Sequence, residues 1–470
     1  MTRRRNTQLA LTELVLATAL GKPEDLMDPV LRFIDAALND EALVDQVHRA
    51  LRGRHAQSAR RGRYGTPAEV VLRLQVLKHL KGWSFKETEW EVRGNVAYRH
   101  FCRINTGKVP DSTTMVRHGQ LLNGDALRPI FDRIVQQARE QHVTAGRRMR
   151  IDTTVVEAPI HYPTDSALCE DSVRVLHRTM RRLVDAGVKL SFKLRHVGRS
   201  VSRRLSEIGQ ALRLRGEAAK EAIKKPYRRL LRITARLVRQ AETAIETTSA
   251  QISRLKKSVR GRVRSALATL RTIAPRARAV VRQTRARIVR GITNSKTKLI
   301  SIFEPHAQIL CRGKLHRPTE FGRMVQVQEA EGGIVTNIDV VPDKNDRPLL
   351  VPAVEHHIKV FGRAPHMTAT DRGFHSGKGE RRIRELGVKR PVIPKPGHKS
   401  GKRIAHERQR WFRRGRAWRA GGEARISRLK HHFGMARSRY KGEQGTKRTV
   451  LWAAIANNLV AIATKSGGGR

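Results

Sequence analysis

Two stretches with the pattern of β-strands are separated by a long stretch with the pattern of helices, and this alternation strongly constrains the fold. Residues 150–156 are rich in β-branched side chains, as a buried strand requires. Residues 165–298 then show helical periodicity, and strand-like segments return after residue 300. The helical pattern is interrupted at Gly187, Gly216, Pro226 and Pro275. We therefore predict a mixed α/β core with a helical insertion after its first strand.

The chain after the insertion alternates between strand and helix. The predicted strands are 324–328, 334–341, 366–374 and 388–394. The predicted helices are 348–361, 376–386, 405–432 and 447–464. This order predicts one α/β domain over 146–164 and 300–470, interrupted by a basic helical insertion over 165–299.

Residues 1–145 are predicted to form an all-helical N-terminal domain. A helix over 67–81 ends at a glycine, and Ser84-Phe85-Lys86-Glu87 has the pattern of a capping box that begins a second helix. Helix pairs of this kind often read DNA, the linker 52–63 is strongly basic, and Arg117 lies on the exposed side of a later helix. The alternative is a helical bundle that serves only for packing or as an oligomer interface.

The charge of the chain points to a polyanion as partner. The 470 residues include 96 Lys plus Arg against 41 Asp plus Glu, a net charge of +55. Such a surplus favours nucleic acid, or secondly an anionic membrane surface, because every phosphate neutralised releases counterions. Residues 251–300 contain no acid, so we expect phosphate contacts from Arg260, Arg262 and Arg264. A solvated spacer helix is the alternative.

Three carboxylates are placed where chemistry could occur. Asp152 lies on the first strand, Asp371 at the end of a later strand, and Glu423 on a helix. Acids on such elements can converge at one edge of a sheet and hold two divalent cations roughly 4 Å apart. Oxygen ligands favour Mg²⁺ or Mn²⁺. For Asp152 the alternative is a buried salt bridge with an arginine.

Several segments resemble bacterial insertion-sequence transposases of the DDE class. In the second half these are 150–157 (RIDTTVVE), 313–322 (GKLHRPTEFG), 370–374 (TDRGF) and 423–430 (EARISRLK). Segments 66–73, 77–80 and 109–113 resemble the helical N-terminal domain of those enzymes, and 451–459 resembles their last helix. The resemblance implies an RNase H-like catalytic core, in which Asp152, Asp371 and Glu423 bind two Mg²⁺ or Mn²⁺ ions.

Relatives often carry a Tyr, Arg, Glu, Lys signature around the last acid. Arg419, Glu423 and Lys430 match this signature, whereas Arg416 stands at the Tyr position. These residues fall near one face of a helix, so we expect Arg416, Arg419 and Lys430 to hold phosphates of the scissile strand.

The resemblance implies a DNA transposase. Such an enzyme binds the terminal inverted repeats of its element, hydrolyses a phosphodiester to expose a 3′-hydroxyl, and joins that hydroxyl to target DNA. Because two ends must be processed, a homodimer is expected. The alternatives are a non-catalytic DNA-binding protein derived from a transposase, and a host nuclease of the same fold that does not transfer strands.

The sequence also carries an expectation about the compartment. Cys102, Cys169 and Cys311 are far apart and have no metal-site spacing, which fits a reducing environment. The most apolar segment, 450–464, is too short and too polar to span a bilayer. We therefore expect a cytoplasmic, nucleoid-associated bacterial protein without a membrane partner.

Overall fold

The computed structural model describes residues 1–5, 23–54, 57, 64–293, 298–311, 319–341 and 345–466. Most of the basic linker 52–63 and most of segment 313–322 lie outside the described residues. The chain divides into two compact units, one formed by Met1–Pro159 with Leu310–Arg470 and the other by Ile160–Ile309. The domain functions assigned from the sequence stay predictions.

Among the described residues of the first unit, seven α-helices precede the sheet. They are α1 Pro29–Ala37, α2 Glu41–Arg52, α3 Ala68–Lys81, α4 Phe85–Gly94, α5 Val96–Phe101, α6 Ser112–Leu121 and α7 Gly124–Glu140. Side-chain caps fix several of their starts. The predicted capping box is confirmed: Ser84 Oγ accepts from the Glu87 N–H at 3.2 Å, and the Glu87 carboxylate accepts from the Ser84 N–H at 2.6 Å.

A mixed sheet follows the N-terminal helices. Its strands are β1 Arg148–Glu157, β2 Gln308–Cys311, β3 Thr319–Ala330, β4 Val335–Val340, β5 Met367–Ala369 and β6 Arg390–Val392. The order is β2-β3-β1-β5-β6, and β4 pairs with β3. β1 runs antiparallel to β3 and parallel to β5, and β5 runs parallel to β6. The predicted mixed α/β class is therefore confirmed.

The remaining helices of the first unit follow the later strands. They are α12 Leu350–Phe361, α13 Gly377–Glu385, α14 Gly401–Arg408, α15 Arg410–His431 and α16 Gly442–Ser466. The N-terminal helices share one hydrophobic core with the sheet and α16, and this core contains Leu74, Phe131, Ile338 and Trp452. None of the helices in the described ranges is long and apolar enough to cross a bilayer.

The second unit is helical and has its own core. Its helices are α8 Asp165–Asp185, α9 Gly198–Ala211, α10 Gly216–Gln251 and α11 Lys257–Arg290. Leucine, valine and alanine side chains of α10 and α11 are buried together with those of α8 and α9. The apolar residues that recur over 230–270 predict a helical hairpin or coiled-coil arm, whereas in the structure α10 and α11 pack with α8 and α9 in a four-helix bundle.

Several sequence expectations differ from the structure in detail. Pro226 and Pro275 do not interrupt the insertion, because both lie inside long helices. β2 was not predicted. Residues 366–374, predicted as a strand that runs into a glycine turn with an acid at its end, form strand β5 and a 3₁₀ turn at Arg372–Phe374 with Asp371 as its N-cap. The predicted helix 405–432 is divided at Gln409 into α14 and α15.

Candidate active site

The first strand, β1, presents two different faces. Side chains alternate along a strand, so Met149 and Ile151 share one face, where they pack with Leu350 and Val354 of α12. Asp152 lies on the opposite face, and its Oδ1 accepts a hydrogen bond from the Thr153 N–H at 2.8 Å. Its side chain is 15% exposed. The carboxylate is therefore nearly enclosed but can be reached from α15.

Helix α15 packs close to strands β5 and β6 because it has a glycine at the point of contact. A Cβ on Gly415 would lie 2.5 Å from Val392 Cγ2 and 3.1 Å from Met367 Sδ, which is too close for any larger residue without movement. Val392 and Met367 belong to β6 and β5. The glycine thus sets the distance between the helix that carries Glu423 and strands β5 and β6, of which β5 leads directly to Asp371.

A buried ionic network fixes the same helix. The Arg150 guanidinium donates to both Glu329 oxygens at 2.9 and 2.7 Å and to the Trp418 carbonyl at 2.6 Å. Arg425 of α15 donates to Glu329 at 3.2 Å and to Asn457 of α16 at 2.8 Å. The Glu329 side chain is only 4% exposed, so its charge depends on these two arginines. Strands β1 and β3 therefore hold α15 in place.

Arg419 joins two of the three predicted acids. Its Nη2 donates to Asp152 Oδ2 at 2.8 Å, and its Nη1 donates to Glu423 Oε1 at 3.1 Å. Glu423 is otherwise open to solvent, with a side-chain exposure of 71%. Arg419 Nε is buried and has no hydrogen-bond partner among the described residues. The alternative raised for Asp152, a salt bridge with an arginine, is present in the structure.

The third predicted acid follows β5 directly. Asp371 is the N-cap of the 3₁₀ turn, and its Oδ1 accepts from the Gly373 N–H at 2.8 Å. The parallel pairing of β1 with β5 ends at Arg150 and Ala369, which precede Asp152 and Asp371 by two residues each. Asp371 and Glu423 line one open cavity of about 800 Å³. Its charged lining consists of Asp371, Arg372, Arg413, Arg416, Arg419 and Glu423.

A fourth carboxylate, which the sequence reading missed, lies beside this group. Asp346 Oδ1 accepts a hydrogen bond from Thr153 Oγ1 at 3.0 Å. A Cβ on Gly373 would lie 3.0 Å from Asp346 Oδ2 and 3.1 Å from Asp371 Oδ1, so both carboxylates approach the same point of the backbone. Asp346 lies shortly after the predicted strand 334–341. This position after a strand was the one signal that could have identified Asp346 as a candidate site residue.

The donor set suits a hard divalent cation in its chemistry. Asp152, Asp371 and Glu423 offer carboxylate oxygens, which Mg²⁺ and Mn²⁺ prefer. Over the residues described, no three His, Cys, Asp or Glu side chains are close enough together to hold a metal ion. The guanidinium of Arg419 forms ion pairs with both Asp152 and Glu423.

The predicted DNA-binding residues lie in different places. Arg416 is exposed in the cavity, Arg419 is partly buried between the two acids, and Lys430 is half-buried near the end of α15. Arg117 is exposed on α6. In the second unit Arg262 and Arg264 are exposed on α11. Arg260 instead donates to the Leu255 and Ser253 carbonyls at 2.9 and 2.7 Å, so part of its hydrogen-bonding capacity serves the start of α11.

Comparison with known proteins gives one match. Residues 20–120 match a family described as Transposase domain (DUF772). The matched range contains α1 to α6 and ends within α6, before the sheet begins. No curated protein and no solved structure matches the chain. The match covers about a fifth of the chain and supports a transposase.

Proposed function

We propose that this protein is a DNA transposase of the DDE class with an RNase H-like catalytic core. It would bind the terminal inverted repeats of a mobile element, cut one strand at each end, and transfer the exposed 3′-hydroxyl to target DNA. Asp152, Asp371 and Glu423 would hold two Mg²⁺ or Mn²⁺ ions. When bound, these ions would activate the attacking water or hydroxyl and stabilise the leaving oxygen.

One observation carries the catalytic part of this proposal. Acids that are far apart in the sequence border one region of the first unit: Asp371 and Glu423 line the same cavity, and Arg419 of that cavity binds Asp152. A purely structural salt bridge would explain Asp152 alone. It would not explain why Asp371, at the end of a parallel strand, opens onto the same space.

The residues around the acids suit a DNA strand. Arg413 and Arg416 are exposed in the cavity, and each guanidinium group could donate two hydrogen bonds to a phosphate. Arg419 would exchange its carboxylate partners for a phosphate of the scissile strand. This exchange keeps every charge paired, because the arginine gains an anion as the carboxylates become available to a cation.

The partner and assembly follow from the reaction. Double-stranded DNA is required twice, as element end and as target, and two ends must be joined in one event. We therefore propose a homodimer on paired ends. Cations that could contact the DNA backbone include the exposed Arg117 on α6 and the exposed Arg262 and Arg264 on α11. The half-buried Lys430 on α15 and Arg260 on α11 could add to them.

Strand cleavage tests the assignment of the three acids. The substrate is a duplex carrying the inverted repeats that flank the gene, and the measurement is Mg²⁺-dependent release of a 3′-hydroxyl end. Asp152→Asn, Asp371→Asn and Glu423→Gln should each lower cleavage at least about 100-fold while DNA binding persists, because each removes a charge that the metal requires. Glu385→Gln on α13 is the matched control, since that carboxylate is exposed and pairs with Arg382.

A second function is favoured by one observation, the pairing of Arg419 with both Asp152 and Glu423. A transposase-derived protein that binds DNA without cutting it would keep this arginine in place permanently. Wild-type protein that binds the ends yet cuts no better than the three variants would establish this function instead. Cleavage without joined products would indicate a host nuclease of the same fold.

A further inference from the structure

A small pocket outside the candidate active site carries an unusual concentration of positive charge. It lies in the first unit, between the end of α3 and the loop that joins α15 to α16. Its walls include Lys78, Gly82, Trp83, Phe433, Arg439 and Tyr440. None of the residues of the candidate active site lines this pocket.

Lys78 is buried in this pocket without an anionic partner. The residue is 7% exposed, and its Nζ lies 4.9 Å from the centre of the Phe85 ring. Within the part of the chain that the structure describes, no carboxylate forms an ion pair with it and no acceptor forms a hydrogen bond with it. Burial, together with the charges of Arg439 and Arg448, lowers the pKa of Lys78 from 10.5 to about 8. An ammonium that is desolvated to this extent is unfavourable in the free protein.

The groups that surround Lys78 add further positive charge. Arg439 is exposed at the rim, and Arg448 is buried with its guanidinium 3.2 Å from the centre of the Tyr440 ring. Arg448 Nε is buried and lacks a hydrogen-bond partner among the described residues. The acid that acts on Lys78 is Glu87, whose carboxylate already caps α4 through Ser84. The pocket therefore has an excess of cations.

His79 builds the wall of the pocket and does not contribute charge. Full burial and the neighbouring Lys78 hold the pKa of His79 well below its usual value, so the ring is neutral. Nδ1 hydrogen-bonds the Gln75 carbonyl at 2.7 Å, Nε2 lies 3.4 Å from the Tyr440 hydroxyl, and the ring stacks on Trp452 at 4.7 Å. Both nitrogens are thus occupied, and the wall is rigid.

The pocket is small and open to solvent on one side. Its volume of about 50 Å³ is enough for several water-sized positions, at about 10–15 Å³ for each. A phosphate group can enter it from the open side next to Arg439 and the half-exposed Trp83.

We propose that this pocket binds a phosphate of the DNA backbone, with Lys78 and Arg439 as the ligands. The proposal rests on the proposed function, which supplies DNA as the partner. The pocket adjoins the turn between α3 and α4, the helix pair for which the sequence suggested DNA binding. It would place one phosphate at a fixed point of the N-terminal helices. The same side chains could also bind free phosphate, and the experiment distinguishes a DNA phosphate from free phosphate.

The test measures the salt dependence of DNA binding. Lys78→Met and Arg439→Gln should each lower the slope of log affinity against log salt by about 0.9, which is the contribution of one phosphate contact. Lys359→Met is the matched control, because this lysine is exposed on α12. The salt slope of this variant should equal that of the wild type. Misfolding would not produce this pattern, since Arg439 is exposed and Lys78→Met should raise the melting temperature.

A second measurement separates DNA from free phosphate. Inorganic phosphate should raise the melting temperature of the wild type more than that of Lys78→Met if the pocket binds an anion at all. Unchanged slopes in both variants, with DNA binding intact, would overturn the assignment to DNA and leave the transposase proposal standing. If the wild type does not bind DNA, the proposed function is contradicted. The effect of inorganic phosphate on the melting temperature then shows whether the pocket binds a free anion or no anion.

Discussion

At the scale of single residues, Lys78 makes the folded protein less stable than an apolar side chain at the same position would. Its pKa is lowered to about 8, so the folded protein holds the protonated form less favourably than the unfolded chain does. The penalty is fully present below about pH 8 and disappears as the pH rises towards 10.5, the value for the unfolded chain. Buried groups that lower stability are often retained because they bind a ligand.

We therefore expect Lys78→Met to be more stable than the wild type by roughly 2–3 kcal/mol at pH 7. The advantage should shrink as the pH rises from 8 to 10.5, since the wild-type ammonium then loses its proton. Thermal unfolding of both proteins at several pH values measures this. The titrating neighbours His79 and Tyr440 are present in both proteins, so their contributions largely cancel in the difference. An advantage that does not change with pH would show that packing, not charge, causes it.

At the scale of elements, α15 organises the candidate active site. It carries Arg416, Arg419 and Glu423, and Gly415 allows it to lie against β5 and β6. We expect Gly415→Val to shift the helix, because the new side chain would overlap Val392, and overpacking of this kind costs about 1–3 kcal/mol. Cleavage should fall at least about tenfold, since Glu423 moves relative to Asp152 and Asp371.

The control for this substitution is Ala424→Val, which adds a similar side chain at an exposed position of the same helix. It should leave cleavage within about twofold of wild type, as surface changes usually do. DNA binding should persist in both variants. Equal cleavage by Gly415→Val and Ala424→Val would mean that the approach of α15 to the sheet does not position Glu423.

The elements also show what the sequence could predict. Local signals were sufficient for α3 and α4, because the glycine after Lys81 and the Ser84–Glu87 capping box act within a single turn. They were insufficient at Pro226 and Pro275, where long buried stripes outweigh the lost hydrogen bond. The contact of Arg419 with Asp152 joins residues 267 positions apart and depends on tertiary packing. This contact could not be derived from local pattern, and the only local signal for Asp346 was its position after a predicted strand.

At the scale of the whole molecule, the net charge of +55 is distributed unevenly. Residues 201–300 hold 27 Lys plus Arg against five acids, and nearly all of this range lies in α9, α10 and α11 of the second unit. The bundle buries its apolar side chains internally, so the charge lies on its surface. A surface of this kind adds affinity for DNA in proportion to the phosphates that it neutralises.

Substitution of arginines on α11 tests whether this helix binds DNA or is only a solvated helix. Replacing both Arg262 and Arg264 with glutamine should lower the salt slope of DNA binding by up to about 1.8, since both side chains are exposed and each could neutralise one phosphate. Arg181→Gln on α8 is the control within the same unit, because Arg181 already pairs with Asp185 at 3.1 Å. Arg260→Gln should instead lower the melting temperature, since its guanidinium holds the Leu255 and Ser253 carbonyls. A slope that stays at the wild-type value in the double variant would identify α11 as a solvated helix and remove it from the DNA-binding surface.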